Sequence, residues 1–198
     1  MLLDHNKFVV KSKSKLLSSK KSFEIADADS GQLLGTGTDI TGFLGGLLGS
    51  TKIEVRDATN NEVLFSVERT GLLLKKDQVV GPQGEVYGRY KTKRFSLSGG
   101  FHIYDKDGKH LAEMQGKMLK AEYKFVTPDR TTEMGTVSKS WAGIAKALLT
   151  GGETHGVQIS PKFVDDKTTK ILILGATIAV ESIFKKKKES KASGGDEE

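Results

Sequence analysis

The sequence predicts a mainly β protein, either a sandwich or a closed barrel, with one buried helix late in the chain. Three observations carry this expectation: a hairpin pattern that recurs, short alternating runs separated by Gly-rich turns, and an uncharged apolar stretch over Ile171–Val180. The 198 residues are 36% hydrophobic and include 23 glycines, which suits one domain with a sizeable core and excludes a wholly disordered chain.

Phe8–Lys13 reads as a first extended run. The hairpin pattern follows. Phe23-Glu24-Ile25-Ala26-Asp27 leads through Asp29, Ser30 and Gly31 to Leu33, and Ile53-Glu54-Val55-Arg56-Asp57 leads through Asn60 and Asn61 to Val63. Phe101-His102-Ile103-Tyr104-Asp105 leads through Asp107 and Gly108 to Leu111. Apolar side chains stand two and four residues before each Asp and six after it, a period that puts them on one buried face. Asp, Asn and Gly supply the turns because they tolerate positive φ and bond locally to the backbone. A looser fourth copy joins Tyr123-Lys124-Phe125 through Pro128-Asp129 to Met134-Gly135-Thr136-Val137. Glu85–Tyr90 and Gly156–Ser160 are further extended runs, making about a dozen strands in all.

Two segments break the β rhythm. Trp141, Ile144, Ala145 and Leu148 fall on one face of an amphipathic helix near residues 140–149, ended by Gly151 and Gly152 and expected to lie as a lid on the sheet. The second helix is Thr168–Phe184. Ile171–Val180 is apolar around its whole circumference, so no side of it suits water. From Ile171 to Phe184 it would measure about 21 Å at ~1.5 Å per residue, short of a hydrocarbon slab of ~30 Å. That length, with Glu181 inside it, favours a helix threaded through the protein's own core over one inserted in a bilayer. Residues 1–184 are therefore expected to form a single domain, and 185–198, basic and then acidic, a disordered tail.

Chemistry is constrained by what the chain lacks. With no cysteine, disulfides, thiol catalysis, Cys-bound zinc, iron–sulfur clusters and S-acylation are excluded. Met1–Lys15 has no unbroken apolar core of a secretory leader, so a cytoplasmic location is expected. There is no Walker loop, dinucleotide fingerprint or G-x-S-x-G elbow, and no spacing pairs two carboxylates for acid–base work; no enzyme activity, cofactor or small-molecule substrate is expected. The Asp-rich turns at Asp27 and Asp105 fail as EF-hand loops, because the twelfth positions are Thr38 and Gly116. His102 and His110 could approach one another across their hairpin, but no third ligand accompanies them, so no metal site is expected and the four histidines default to the surface.

The formal charge is +6, and the cations cluster. Lys11, Lys13, Lys15, Lys20 and Lys21 lie near the start; Arg89, Lys91, Lys93 and Arg94 fall within six residues; Lys185, Lys186, Lys187 and Lys188 follow the apolar helix. Near an anionic bilayer each cation contributes on the order of 1 kcal/mol, so these are the candidate lipid-headgroup ligands. Phe43, Leu44, Leu47 and Leu48, set among Gly42, Gly45, Gly46 and Gly49, could insert a shallow wedge into the lipid interface or cap one end of a barrel. Few aromatics interleave with the central cations, which argues against nucleic-acid binding.

Several stretches in this order resemble the phospholipid scramblase family and its LURP-one-related relatives in the tubby C-terminal-like superfamily. They are Phe101–Gly108, Gly135-Thr136-Val137-Ser138-Lys139-Ser140-Trp141-Ala142-Gly143, His155-Gly156-Val157-Gln158-Ile159 and the closing helix Lys170–Phe184. The resemblance implies a closed barrel of about twelve strands enclosing the hydrophobic C-terminal helix. It also implies a peripherally membrane-associated binder of anionic phospholipids or phosphoinositides, with scrambling as a family activity; the alternative is a LURP-one-like module whose partner is another protein. The scramblase acidic loop is not matched here, since Glu153 is its one remaining carboxylate, and the loop is a poor Ca²⁺ cage.

Overall fold

The computed structural model describes residues 1–14, 21–70, 76–92, 100–117, 120, 122–139 and 153–184. The strands are β1 (Lys7–Ser14), β2 (Lys21–Asp27), β3 (Leu33–Asp39), β4 (Thr51–Asp57), β5 (Val63–Thr70) and β6 (Lys76–Val80), then β7 (Val86–Thr92), β8 (Phe101–Tyr104), β9 (His110–Lys117), β10 (Glu122–Val126), β11 (Glu133–Ser138) and β12 (Glu153–Ile159). Each pairs antiparallel with its neighbours in the chain, and β1 pairs with β12, so the twelve close into a barrel. Among the described residues there are two α-helices: α1 (Phe43–Leu47), between β3 and β4, and α2 (Lys167–Ala179), after β12 and continued by a π-helical turn over Val180–Phe184.

Strand alternation sorts the side chains. Phe8, Val10, Phe23, Ile25, Ile53, Val55, Phe65 and Val67 are fully buried, whereas Glu24, Lys52, Glu54 and Arg56 on the alternate parity face outward. This is the reverse of a membrane-spanning barrel, whose outward residues are apolar and whose lumen is polar. α2 fills the lumen, and Ile171, Leu172, Ile173, Leu174, Ala176, Ile178, Ala179 and Val180 join the same buried cluster as the strands. Burying one such side chain contributes about 1.5–3 kcal/mol. Asp166 caps its N-terminus by accepting from the Thr169 amide (3.0 Å) and hydroxyl (2.7 Å). Glycine admits the helix where it meets the wall. A Cβ on Gly88 would lie 2.4 Å from Leu172 Cδ2, and one on Gly175 would lie 2.7 Å from Val79 Cγ2.

The hairpin repeat is real and has a further regularity. Register shifts occur just before the turn in all five short-turn hairpins, at Ile25/Ala26, Val55/Arg56, Val79/Val80, Ile103/Tyr104 and Phe125/Val126. The unpaired residues on the return strands are Leu34, Leu64, Tyr87, Leu111 and Met134, every one of them apolar. A bulge shifts side-chain parity by one. Leu33, expected on the buried face six residues after Asp27, is consequently 46% exposed, and Leu34, at 4%, takes the core position. The looser fourth copy forms β10 and β11, and its turn follows the same plan with Arg130 at φ 63° where other copies place Gly31, Asn61 or Gly108.

A meander of alternating strand direction gives the barrel two unlike rims. The turn rim carries the connections 28–32, 58–62, 81–85, 105–109 and 127–132, the chain start, and 160–166, where the chain enters α2. A 3-10 turn at Leu2–Asp4 closes it: Leu2 is fully buried, its amide donates to Asp57 Oδ2 at 2.7 Å, and Lys170 Nζ donates to the Leu3 carbonyl at 2.7 Å. The loop rim joins strand ends through residues 15–20, 40–50, 71–75, 93–100, 118–121 and 139–152, and α2 runs toward it from the turn rim. The amphipathic helix expected near 140–149 and the tail 185–198 lie outside the described residues.

Candidate membrane-facing rim

α1 is one helical turn between β3 and β4, started and ended by glycines that cannot hold a longer helix. Its base is tied down: the Thr41 amide donates to Asp39 Oδ1 at 2.9 Å, and the Lys52 amide donates to Thr41 Oγ1 at 2.8 Å. Its tip is not buried. Phe43, Leu44, Leu47 and Leu48 are 86%, 70%, 74% and 51% exposed, so this segment projects from the rim instead of capping the lumen. Four adjacent exposed large apolar side chains form a patch of the kind that marks an interaction surface.

The sequence between strand ends at the loop rim contains eight Lys or Arg residues and no Asp or Glu, and six of those eight cations lie outside the described residues. At the turn rim the six segments from 28–32 to 160–166 carry more acid than base. Among the described residues the loop rim exposes Ile40 and the large apolar side chains of the α1 tip, and the turn rim exposes Met1 and Leu33. Sequence reasoning did not find this grouping, because it follows strand direction, not proximity along the chain. Every second connection of a meander shares a rim, and that rule was the available signal.

The sequence-derived cations separate on inspection. Lys91 is exposed on the outer face of β7, with its ammonium 4.6 Å from the centroid of the Tyr104 ring. Arg89 shares that face and donates to the Lys106 carbonyl at 2.9 Å. Lys13 pairs with Glu24. Lys11 is only 2% exposed. Lys21 points inward and donates from Nζ to the Glu181 carbonyl at 2.6 Å. Lys11 and Lys21 thus serve the barrel wall and its helix, not a headgroup. Lys15, Lys20, Lys93, Arg94 and Lys185, Lys186, Lys187 and Lys188 lie outside the described residues.

Just beneath the loop rim the barrel lining turns ionisable. Arg69 and Asp77 make a bidentate pair at 2.6 and 2.7 Å, each about nine-tenths buried. His155, on β12, lies 2.8 Å from Glu181 on the π turn, with the two side chains 1% and 3% exposed. Burial raises the pKa of the Tyr123 phenol, which sits in the same region beside Thr177. His155 is therefore not the surface histidine expected. His102 and His110 do meet across their hairpin, Nδ1 to Nε2 at 3.1 Å.

Among the described residues no helix is long and apolar enough to cross a membrane. No protein-family model matches the chain, and no solved structure matches it.

Proposed function

We propose that this protein is a non-enzymatic, peripheral binder of anionic phospholipid surfaces, related to the scramblase and LURP-one-like proteins, and that it docks through its loop rim. The observation that carries the reading is the division of charge: cations and large apolar side chains without any carboxylate in the loop-rim connections, acidic turns at the opposite end. Apolar side chains enter the headgroup region while neighbouring Lys and Arg meet lipid phosphates, each supplying on the order of 1 kcal/mol. The acidic end is held away from the same surface by repulsion. α2 follows the apolar lumen and ends at this rim, and Lys185 to Lys188 come next in sequence. With the lumen filled, lipid contact belongs to the rim and not to a path through the barrel.

Sedimentation with phosphatidylcholine vesicles, with and without phosphatidylserine, tests this. Recovery should require phosphatidylserine and should fall steeply toward ~1 M salt, where the screening length shrinks to about 3 Å. Replacing Phe43 and Leu47 together by Ser should lower recovery several-fold. Equal recovery with both vesicle types would remove the lipid reading and favour a protein partner.

A further inference from the structure

The ionisable patch beneath the loop rim has a second meaning, independent of lipid docking. Glu153 and His155 stand two residues apart on β12 and therefore share a face; Glu181 reaches them from the π turn that continues α2. One donor atom from each of the three lies within 4.8 Å of the others. The His155 ring is 1% exposed, and although Nε2 is 2.8 Å from Glu181 Oε1, neither ring nitrogen has a hydrogen-bond partner among the described residues. The carboxylate is close to the imidazole but not aligned with its N–H direction. Buried polar atoms are ordinarily satisfied, so an imidazole turned toward two carboxylates without a hydrogen bond calls for another group between them.

We propose that Glu153, His155 and Glu181 form a binding site for a divalent transition metal of the zinc class. One imidazole nitrogen and two carboxylate oxygens are a donor set that such ions accept, with a fourth position open. Ligands at about 2.1 Å around a tetrahedral centre stand about 3.4 Å from one another, so side-chain rotation alone can bring these three into place. Ca²⁺ is a poor occupant, since it takes six to eight oxygens and this cluster offers a nitrogen instead. Glu153 is exposed at the rim and gives the ion its way in, while His155 and Glu181 hold it inside. Lys21, whose ammonium bonds the Glu181 carbonyl, is one neighbouring cation that the ion must tolerate. Bound there, the metal joins β12 to the end of the lumen helix.

The test uses the full chain and Zn²⁺ in competition with a chromophoric chelator, and Co²⁺ as a visible-absorption probe. One ion per chain is expected, with His155→Gln and Glu153→Gln each weakening binding by at least about tenfold. At equal Zn²⁺ concentration the melting temperature of the unsubstituted chain should rise more than that of Glu153→Gln. Glu153 is exposed, so its variant decides the matter even where His155→Gln fails to fold. Absence of one-to-one binding, or equal affinity in Glu153→Gln, would overturn the proposal.

Discussion

The two rims of the barrel solve the same connection problem in opposite ways. At the turn rim, five-residue turns stabilise themselves. Asp27 Oδ1 accepts from the Ser30 amide at 2.7 Å, Asp57 Oδ1 from the Thr59 amide at 2.8 Å, and Asp105 Oδ1 from the Lys109 amide at 2.8 Å. Gly31, Asn61, Gly84 and Gly108 adopt the positive φ that lets each turn close, and a bulge places one apolar residue in the core behind it. At the loop rim, α1 buries none of its own side chains. A carboxylate suits the first design because it accepts backbone hydrogen bonds; the sequence of the loop-rim connections has none, and the rim's carboxylates stand at adjoining strand ends, as Asp39 and Glu153 do. The lesson is that one rim is closed by its own hydrogen bonds, while the α1 tip at the other leaves large apolar side chains in solvent.

Substitutions at the two ends can break or sharpen that contrast. The largest effect is expected from Asp57→Ala. It leaves the buried Leu2 amide and the Thr59 amide without their acceptor, a loss of about 1–3 kcal/mol, read from urea denaturation midpoints. An unchanged midpoint would mean that the turn rim is not the stabilising end.

Next in size is a pH effect at Asp27. Burial raises the pKa of this carboxyl, but hydrogen bonds from the Ser30 hydroxyl and amide and from His5 outweigh burial and bring it down to about 2. In the unfolded chain it titrates near 4, so its stabilisation is complete above about pH 4 and disappears as pH falls toward 2. Melting temperatures measured across that window should show a shallower acid limb for Asp27→Asn than for the parent chain. The smallest effect is expected at the loop rim. Phe43→Ser and Leu47→Ser should each move the denaturation midpoint by no more than about 0.5 kcal/mol, because both side chains are already in solvent. A larger loss would show that the α1 tip packs on something and is not a free contact surface.

Much of the architecture was legible from residue types. The alternation around Asp27, Asp57 and Asp105 located three hairpins, and the uncharged run Ile171–Val180 identified the element that fills the lumen. The sandwich alternative gave way to a closed barrel through β1–β12 pairing, a contact between residues almost 150 positions apart that no local pattern encodes. Leu33 was misplaced because a bulge changes parity without changing composition. The site was less legible. Lys11 and Lys21 read as headgroup ligands, yet one is buried and the other bonds inward, and nothing in their own segment announces that. Glu153 looked isolated because its neighbour Glu181 lies on the π turn after α2, far along the chain from β12.

The pairing of β1 with β12, and the position of α2 after β12, also bear on biosynthesis. As the chain leaves the ribosome, the first eleven strands can form a curved, open sheet, but neither the seam nor the filling is available until the final segment has emerged. Until then Phe8, Phe23, Phe65, Phe101 and Phe125 line a trough open to water. The nascent barrel is thus most vulnerable to self-association just before β12 and α2 emerge, and a holdase chaperone that covered the trough would have to yield it to α2.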